Sequence, residues 1–276
     1  MTEDSSVVFL FSVVKIMADF LRITSKDNPI IKEISSLQKS AKGRKDAGLF
    51  VLEGLRLCLD AALNEYKPEV IIVTENAYDR YQKEIESNFS GALKKYLMPD
   101  SLFSKISDTV SPQGILCLFK IPEFDGSVIK KDGRYIALEN IQDPSNLGAV
   151  SRTAEALGID GMIVCGGCDI YSPKSLRASM GALLRIPVIV TEDPFELIDR
   201  YDFATYAAVV SDADLTVGSF DFSKGSVVFI GNEANGLTNN IIDKCSKKIT
   251  IPMAGKAESL NAGVAASIIM WEMCKC

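Results

Sequence analysis

Apolar residues recur along this chain with two different periods, and the change of rhythm divides it into two stretches. From Ile23 to Phe119 the pattern is mixed. After Asn28-Pro29, a helix start signal, Ile30, Ile31, Ile34 and Leu37 fall on one face at helical spacing. Lys39, Lys42, Arg44 and Lys45 follow with Gly43 among them and read as a basic connector. Strands are predicted at Leu49 to Glu53, Val70 to Val73 and Ile115 to Phe119, and helices at Leu55 to Leu63 and Glu75 to Glu86. Pro122 to Gly133 collects turn residues and charge, which sets a linker at 123–133. Beyond it, strands near Tyr135, Met162, Val188, Tyr206, Val227 and Ile249 alternate with helical stretches such as Ala149 to Leu157 and Leu260 to Lys275. That alternation predicts an α/β fold with a mostly parallel sheet and helices on both faces, preceded by a smaller α/β module.

The length, 276 residues, suits two domains, 17–122 and 134–276. Val7 to Met17 is a short apolar run behind Glu3 and Asp4, with neither a basic region before it nor a cleavage site after it. The block from Met17 reads as a fresh start, so 1–16 is expected to be a loosely ordered or dispensable extension. No apolar run reaches membrane-spanning length, and a cytoplasmic location is expected.

Composition narrows the chemistry. The chain has no histidine, which removes Ser-His and Cys-His nucleophile pairs, His-ligated zinc and His general bases. The formal net charge of -6 excludes a globally basic nucleic-acid binder but allows a local basic patch. There is neither a G-x-x-x-x-G-K-[ST] loop nor a G-x-G-x-x-G turn. Cys165-Gly-Gly-Cys168 is a lone C-x-x-C with no second ligand pair, so two small buried residues around a turn is the default reading, a redox role is the alternative, and no metal site is expected.

Three loops stand at the C-terminal ends of predicted strands, where open parallel sheets bind ligands. The first runs through Asn146, Gly148 and Arg152; Leu147, Val150, Ala154 and Leu157 form the apolar stripe of its helix and Arg152 lies about opposite it. The second runs from Gly231 through Glu233 to Gly236, where glycine permits close backbone approach. The third runs from Ile251 through Met253 to Ser259, Leu260 and Asn261; Ser259 or Asn261 can cap the last helix, whose start carries only small side chains.

Together and in this order, Asn146-x-Gly148-x-x-x-Arg152, Gly231-x-Glu233-x-x-Gly236-Leu237 and Ile251-Pro-Met253 with Ser259-Leu-Asn261 resemble the SpoU-type (TrmH-like) RNA 2′-O-ribose methyltransferases of the SPOUT superfamily. The resemblance covers about 135 to 274. A looser match, carried by Ile23-Thr-Ser-Lys-Asp-Asn-Pro and Phe50-Val-Leu-Glu-Gly-x-Arg56, is similar to the family's L30e-like substrate-binding domain. The resemblance implies a trefoil-knotted methyltransferase domain, a homodimer formed through it, and S-adenosylmethionine held around Gly231, Gly236, Ile251, Met253 and Leu260. A bulky side chain at Gly231 is expected to fill the adenosine site.

It further implies in-line attack of a ribose 2′-hydroxyl on the sulfonium methyl. Arg152 is the family's candidate for the hydroxyl proton. A guanidinium is effectively always protonated, so holding a phosphate and stabilising the developing alkoxide is an equal role for it. Asn146, Glu233, Ser259 and Asn261 orient Arg152, ribose or cofactor in this reading; the local basic cluster of Lys39, Lys42, Arg44 and Lys45, a solvated connector or a phosphate-contacting patch, is with Arg56 the candidate RNA contact. Large-subunit rRNA is favoured as substrate; tRNA, or a non-catalytic RNA or ribosome-assembly binder, are the alternatives.

Overall fold

A computed structural model of the chain describes residues 19–124 and 126–275. The extension 1–16 and the start at Met17 lie outside the described residues. The described residues form two compact units, one of 19–121 with 171–173 and one of 122–124, 126–170 and 174–275.

The first unit carries a five-stranded sheet in the order β1 (Leu21–Arg22), β4 (Lys94–Met98), β3 (Pro68–Thr74), β5 (Ile115–Lys120), β2 (Leu49–Glu53), in which β5 runs antiparallel to both neighbours. Helix α1 (Pro29–Lys39) starts where Asn28 accepts from the Ile30 amide and Pro29 presets the first turn. Its stripe of Ile30, Ile31, Ile34 and Leu37 is buried against Val51, Ile72 and Leu118 of the sheet. The basic connector expected next is instead a helix, α2 (Ala41–Ala47). Ser40 Oγ caps it by accepting from the Gly43 amide, and Gly48 ends it in a left-handed turn. Helices α3 (Leu55–Leu63), α4 (Glu75–Phe89) and the short α5 (Asp100–Phe103) complete the unit.

The second unit is built on seven strands, all parallel, in the order β10 (Leu215–Thr216), β12 (Lys247–Thr250), β9 (Ala204–Ala208), β11 (Ser226–Ile230), β6 (Arg134–Glu139), β7 (Gly161–Cys165), β8 (Val188–Val190). Such strands are covered on both faces, and they read as apolar runs. One face holds Tyr135, Ala137, Val227 and Phe229 with Phe195 and Ile198 of α8 (Phe195–Ile198) and Ile241 of α9 (Asn239–Lys244). On the other face α6 (Pro144–Leu157) and α10 (Ala262–Met273) pack side by side, α10 also touching β11 and β6. Helix α7 (Pro173–Ala178) presses so closely on α6 that a Cβ on Gly148 would come within 2.5 Å of the Ala178 carbonyl carbon.

The chain steps outward from β6 through β7 to β8, then crosses to β9 on the far side of β11. The order therefore reverses beside β6, and ligands of open α/β sheets sit outside the strand ends at such a point. After β12 the chain passes back over β9 to set α10 against β11 and β6, the return on which the expected threading of the last two loops depends.

Candidate functional site

The C-terminal ends of β9, β11 and β12 and the flank of α10 enclose a cleft of about 390 Å³. Its walls are apolar at Ile230, Leu237, Ile249 and Ile269, with the loop after β11 along one side. Gly231, Gly236, Ile251, Met253 and Leu260, the five residues expected around the cofactor, all line it, together with Glu233 and Ser259. The volume falls within the range of small-molecule sites, and the mix of apolar walls with exposed backbone suits a nucleoside.

The loop after β11 is folded by its own sequence. Asn232 Oδ1 accepts from the amides of Ala234 and Asn235, an Asx turn, and the backbones of Asn232 and Gly236 bond to each other. Gly236 supplies the left-handed residue, at φ 67°. Gly231 leaves no room for a side chain, because a Cβ there would run into the backbone of Gly236 and Leu237. At its far end the loop is tied to β6 through buried Glu139, which accepts from the Thr238 amide at 2.8 Å and the Thr238 hydroxyl at 2.7 Å.

Glu233 ties the same loop to the start of α6. It accepts from Asn146 Nδ2 at 2.8 Å and from the amides of Gln142 and Asp143 at 3.2 and 3.3 Å. Burial alone would raise the Glu233 carboxyl, but these donors outweigh it and hold the group below the ordinary glutamate range. Asn146 Oδ1 in turn accepts from Asn261 Nδ2 at 2.9 Å, and Asn261 Oδ1 caps α10 by accepting from Gly263 and Val264. Three of the five expected catalytic residues thus form one strap across three elements, with Ser259 two residues away on the cleft wall. Asn146 and Gly148 are not in a loop, as the sequence suggested, but in the first turns of α6, because Asp143 caps that helix and Pro144 opens it.

Arg152 stands apart. It is exposed, makes no hydrogen bond or ion pair among the described residues, and does not line the cleft. Of the basic candidates in the first unit, Lys39, Lys42, Lys45 and Arg56 are exposed, whereas Arg44 corrects the expectation. It is 4% exposed and its guanidinium donates to the carbonyls of Leu37 and Gln38 at the end of α1, so it holds two helices together and is closed to RNA.

The thiols of the C-x-x-C pair, Cys165 and Cys168, are both shifted away from the thiolate form. Both cysteines are free thiols, and burial pushes Cys165 up to about 12, with Glu139 and Asp193 adding to it, and raises Cys168 as well. Gly166 and Gly167, both at positive φ, make the turn that lets the Cys168 amide donate to the Ile141 carbonyl. No group of three or more Cys, Asp or Glu among the described residues is placed to hold a metal, and no helix there is long and apolar enough to cross a membrane. The sequence reading missed Gln142, Asp143, Glu139 and Thr238. Only the Asx-turn residues in Gly231-Asn-Glu-Ala-Asn-Gly236 hinted at such an anchored loop.

Comparison with known proteins matches these features. The family model described as the SpoU rRNA Methylase family covers residues 133–271, and the MRM3-like substrate binding domain covers 28–117. A 23S rRNA (uridine(2479)-2'-O)-methyltransferase of Streptomyces viridochromogenes is 30% identical over 91% of this chain and 91% of its own. A 23S rRNA (guanosine(2553)-2'-O)-methyltransferase of Bacillus subtilis is 26% identical over 91% of this chain and 98% of its own. The crystal structure of an AdoMet-bound rRNA methyltransferase from Sinorhizobium meliloti superposes with a TM-score of 0.79 at 28% identity, covering 92% of this chain and 97% of that one.

Proposed function

The chain belongs to the SpoU rRNA methylase family, and from that premise we propose how its residues carry out methylation of a ribose 2′-hydroxyl in large-subunit rRNA. The protein is an S-adenosylmethionine-dependent rRNA 2′-O-methyltransferase. Bound, the cofactor supplies a methyl group already activated by its sulfonium. What remains for the chain is to hold cofactor and ribose in line and to ease the loss of a poorly acidic proton.

The observation that carries the reading is the cleft with the Glu233–Asn146–Asn261 strap at its edge. Backbone around Gly231, Ile251 and Leu260 holds the adenosine, and Met253 and Gly236 close the site. The strap fixes the loop after β11 against α6 and, through Asn146 and Asn261, against the start of α10. Ser259 is left with a free hydroxyl toward the ribose. The exposed Lys39, Lys42, Lys45 and Arg56 of the first unit hold RNA phosphates.

Arg152 acts across a homodimer. It is exposed on α6, as Val264, at 48%, and Trp271, at 56%, are on the adjoining α10. Val264, Ile268 and Trp271 recur at helical spacing and make an apolar stripe that a second copy covers. There the guanidinium stabilises the developing alkoxide or its phosphate. The test is methyl transfer from labelled S-adenosylmethionine to unmodified large-subunit rRNA, followed by nuclease digestion. Label on a ribose is the expected result; label on a base, or transfer to tRNA alone, overturns the reading.

A further inference from the structure

The first unit contains a cavity of about 240 Å³ at the end of β2, walled by Glu53, Arg56, Leu57, Thr109, Ser111 and Gln113. Its frame is fixed from within. Glu53 accepts from the hydroxyls of Ser107 and Thr109 and from the Asp108 amide, which binds the turn 107–109 to the end of β2. Gln113 Oε1 accepts from the Leu55 amide at 2.9 Å, which settles the orientation of that side chain and leaves its NH₂ as a donor. Neither Arg56 nor Ser111 has a hydrogen-bond or ion-pair partner among the described residues. Val110, between two lining residues, is wholly exposed.

We propose that this cavity seats one unpaired RNA nucleotide, base inward, with Arg56 on its phosphate at the mouth. The carboxylate of Glu53 lies in the wall and disfavours an anion inside, so the charged part of the ligand belongs outside with the guanidinium. What enters is neutral, planar and rich in acceptors, facing the Gln113 amide and the Ser111 hydroxyl, with Leu57 as an apolar contact. An unstacked base on its ribose has that chemistry, and single-stranded segments are where proteins read RNA. The cavity thus gives the first unit a means of choosing a looped-out nucleotide near the target, which charge alone cannot do.

The proposal rests on the reading that the first unit holds RNA. The full chain is titrated with fluorescent hexauridylate and hexaadenylate across a salt series. Three variants are compared: Ser111→Trp, which fills the cavity and removes no contact; Arg56→Ala; and Lys39→Glu/Lys42→Glu/Lys45→Glu. Ser111→Trp is expected to weaken binding of at least one oligonucleotide about tenfold with the melting temperature and the salt slope unchanged. Arg56→Ala is expected to reduce that slope by about one contact. If the triple variant weakens binding and Ser111→Trp does not, the nucleotide seat is wrong and the first unit's RNA role stands. If none of the three weakens it, both are wrong.

Discussion

At the scale of single residues, Gly231 limits the cleft most tightly. Because a Cβ there would run into the backbone of Gly236 and Leu237, added bulk breaks the loop before it can fill the adenosine site. The close backbone approach expected at Gly231 is made by the chain's own residues Gly236 and Leu237, besides its place on the cleft wall. Gly236 differs: it sits at φ 67° with nothing within 4 Å of its Cβ position. Gly231→Ala is expected to abolish S-adenosylmethionine binding in calorimetry and to lower the melting temperature by several degrees. Gly236→Ala meets only left-handed backbone strain, about 1 kcal/mol, and keeps most of the cofactor affinity. Equal losses for the two variants would contradict the steric account.

At the scale of elements, the exposed stripe of α2 and its buried arginine have separate tasks. Arg44 is the fourth residue of α2 and bonds to the last turn of α1, so Arg44→Ala leaves carbonyls of Leu37 and Gln38 short of a donor. A loss of about 1–3 kcal/mol in chemical denaturation is expected, with RNA affinity unchanged for the folded protein. A clear fall in RNA affinity at full stability would restore Arg44 to the RNA surface. The sequence could not separate Arg44 from Lys39, Lys42 and Lys45, because Gly43 hid the helix and charge says nothing about burial. It did reveal α1, α3, α4 and the strands of the second unit apart from β10, elements that each bury apolar residues. The short pieces β1, β10, α5, α7, α8 and α9 are too brief to show a period, and contacts distant in sequence fix them. The candidate site was legible in the same uneven way. Gly231, Glu233 and Asn261 lie in loops with marked composition, whereas Glu139 looks like any strand residue until Thr238 is seen bonded to it.

At the scale of the whole molecule, the arrangement of α6 and α10 decides where Arg152 can act. The helices lie in contact: a Cβ on Gly263 would be 3.3 Å from the Ala149 Cβ, and the Thr153 and Ser267 hydroxyls are 3.0 Å apart. The cleft is on the other flank of α10, at Ala262, Ala265 and Ile269. Arg152 is exposed on α6, as are Ser145, Ala149 and Ala156, and it does not line the cleft of its own chain. In the proposed homodimer a second copy would cover the exposed Val264 and Trp271, and the partner's cleft would be the one that Arg152 serves. Complementation tests this arrangement. Arg152→Ala is expected to bind cofactor and lose methyl transfer; Leu260→Trp, which fills the cleft, is expected to lose both. When the two inactive variants are unfolded together and refolded as mixed dimers, half of the dimers are mixed and each has one intact cleft facing one intact arginine. Activity should return to about a quarter of wild type, the share set by random pairing in a two-fold dimer. Activity that stays at the level of the separate variants, with light scattering showing dimers, would place Arg152 at the cleft of its own chain.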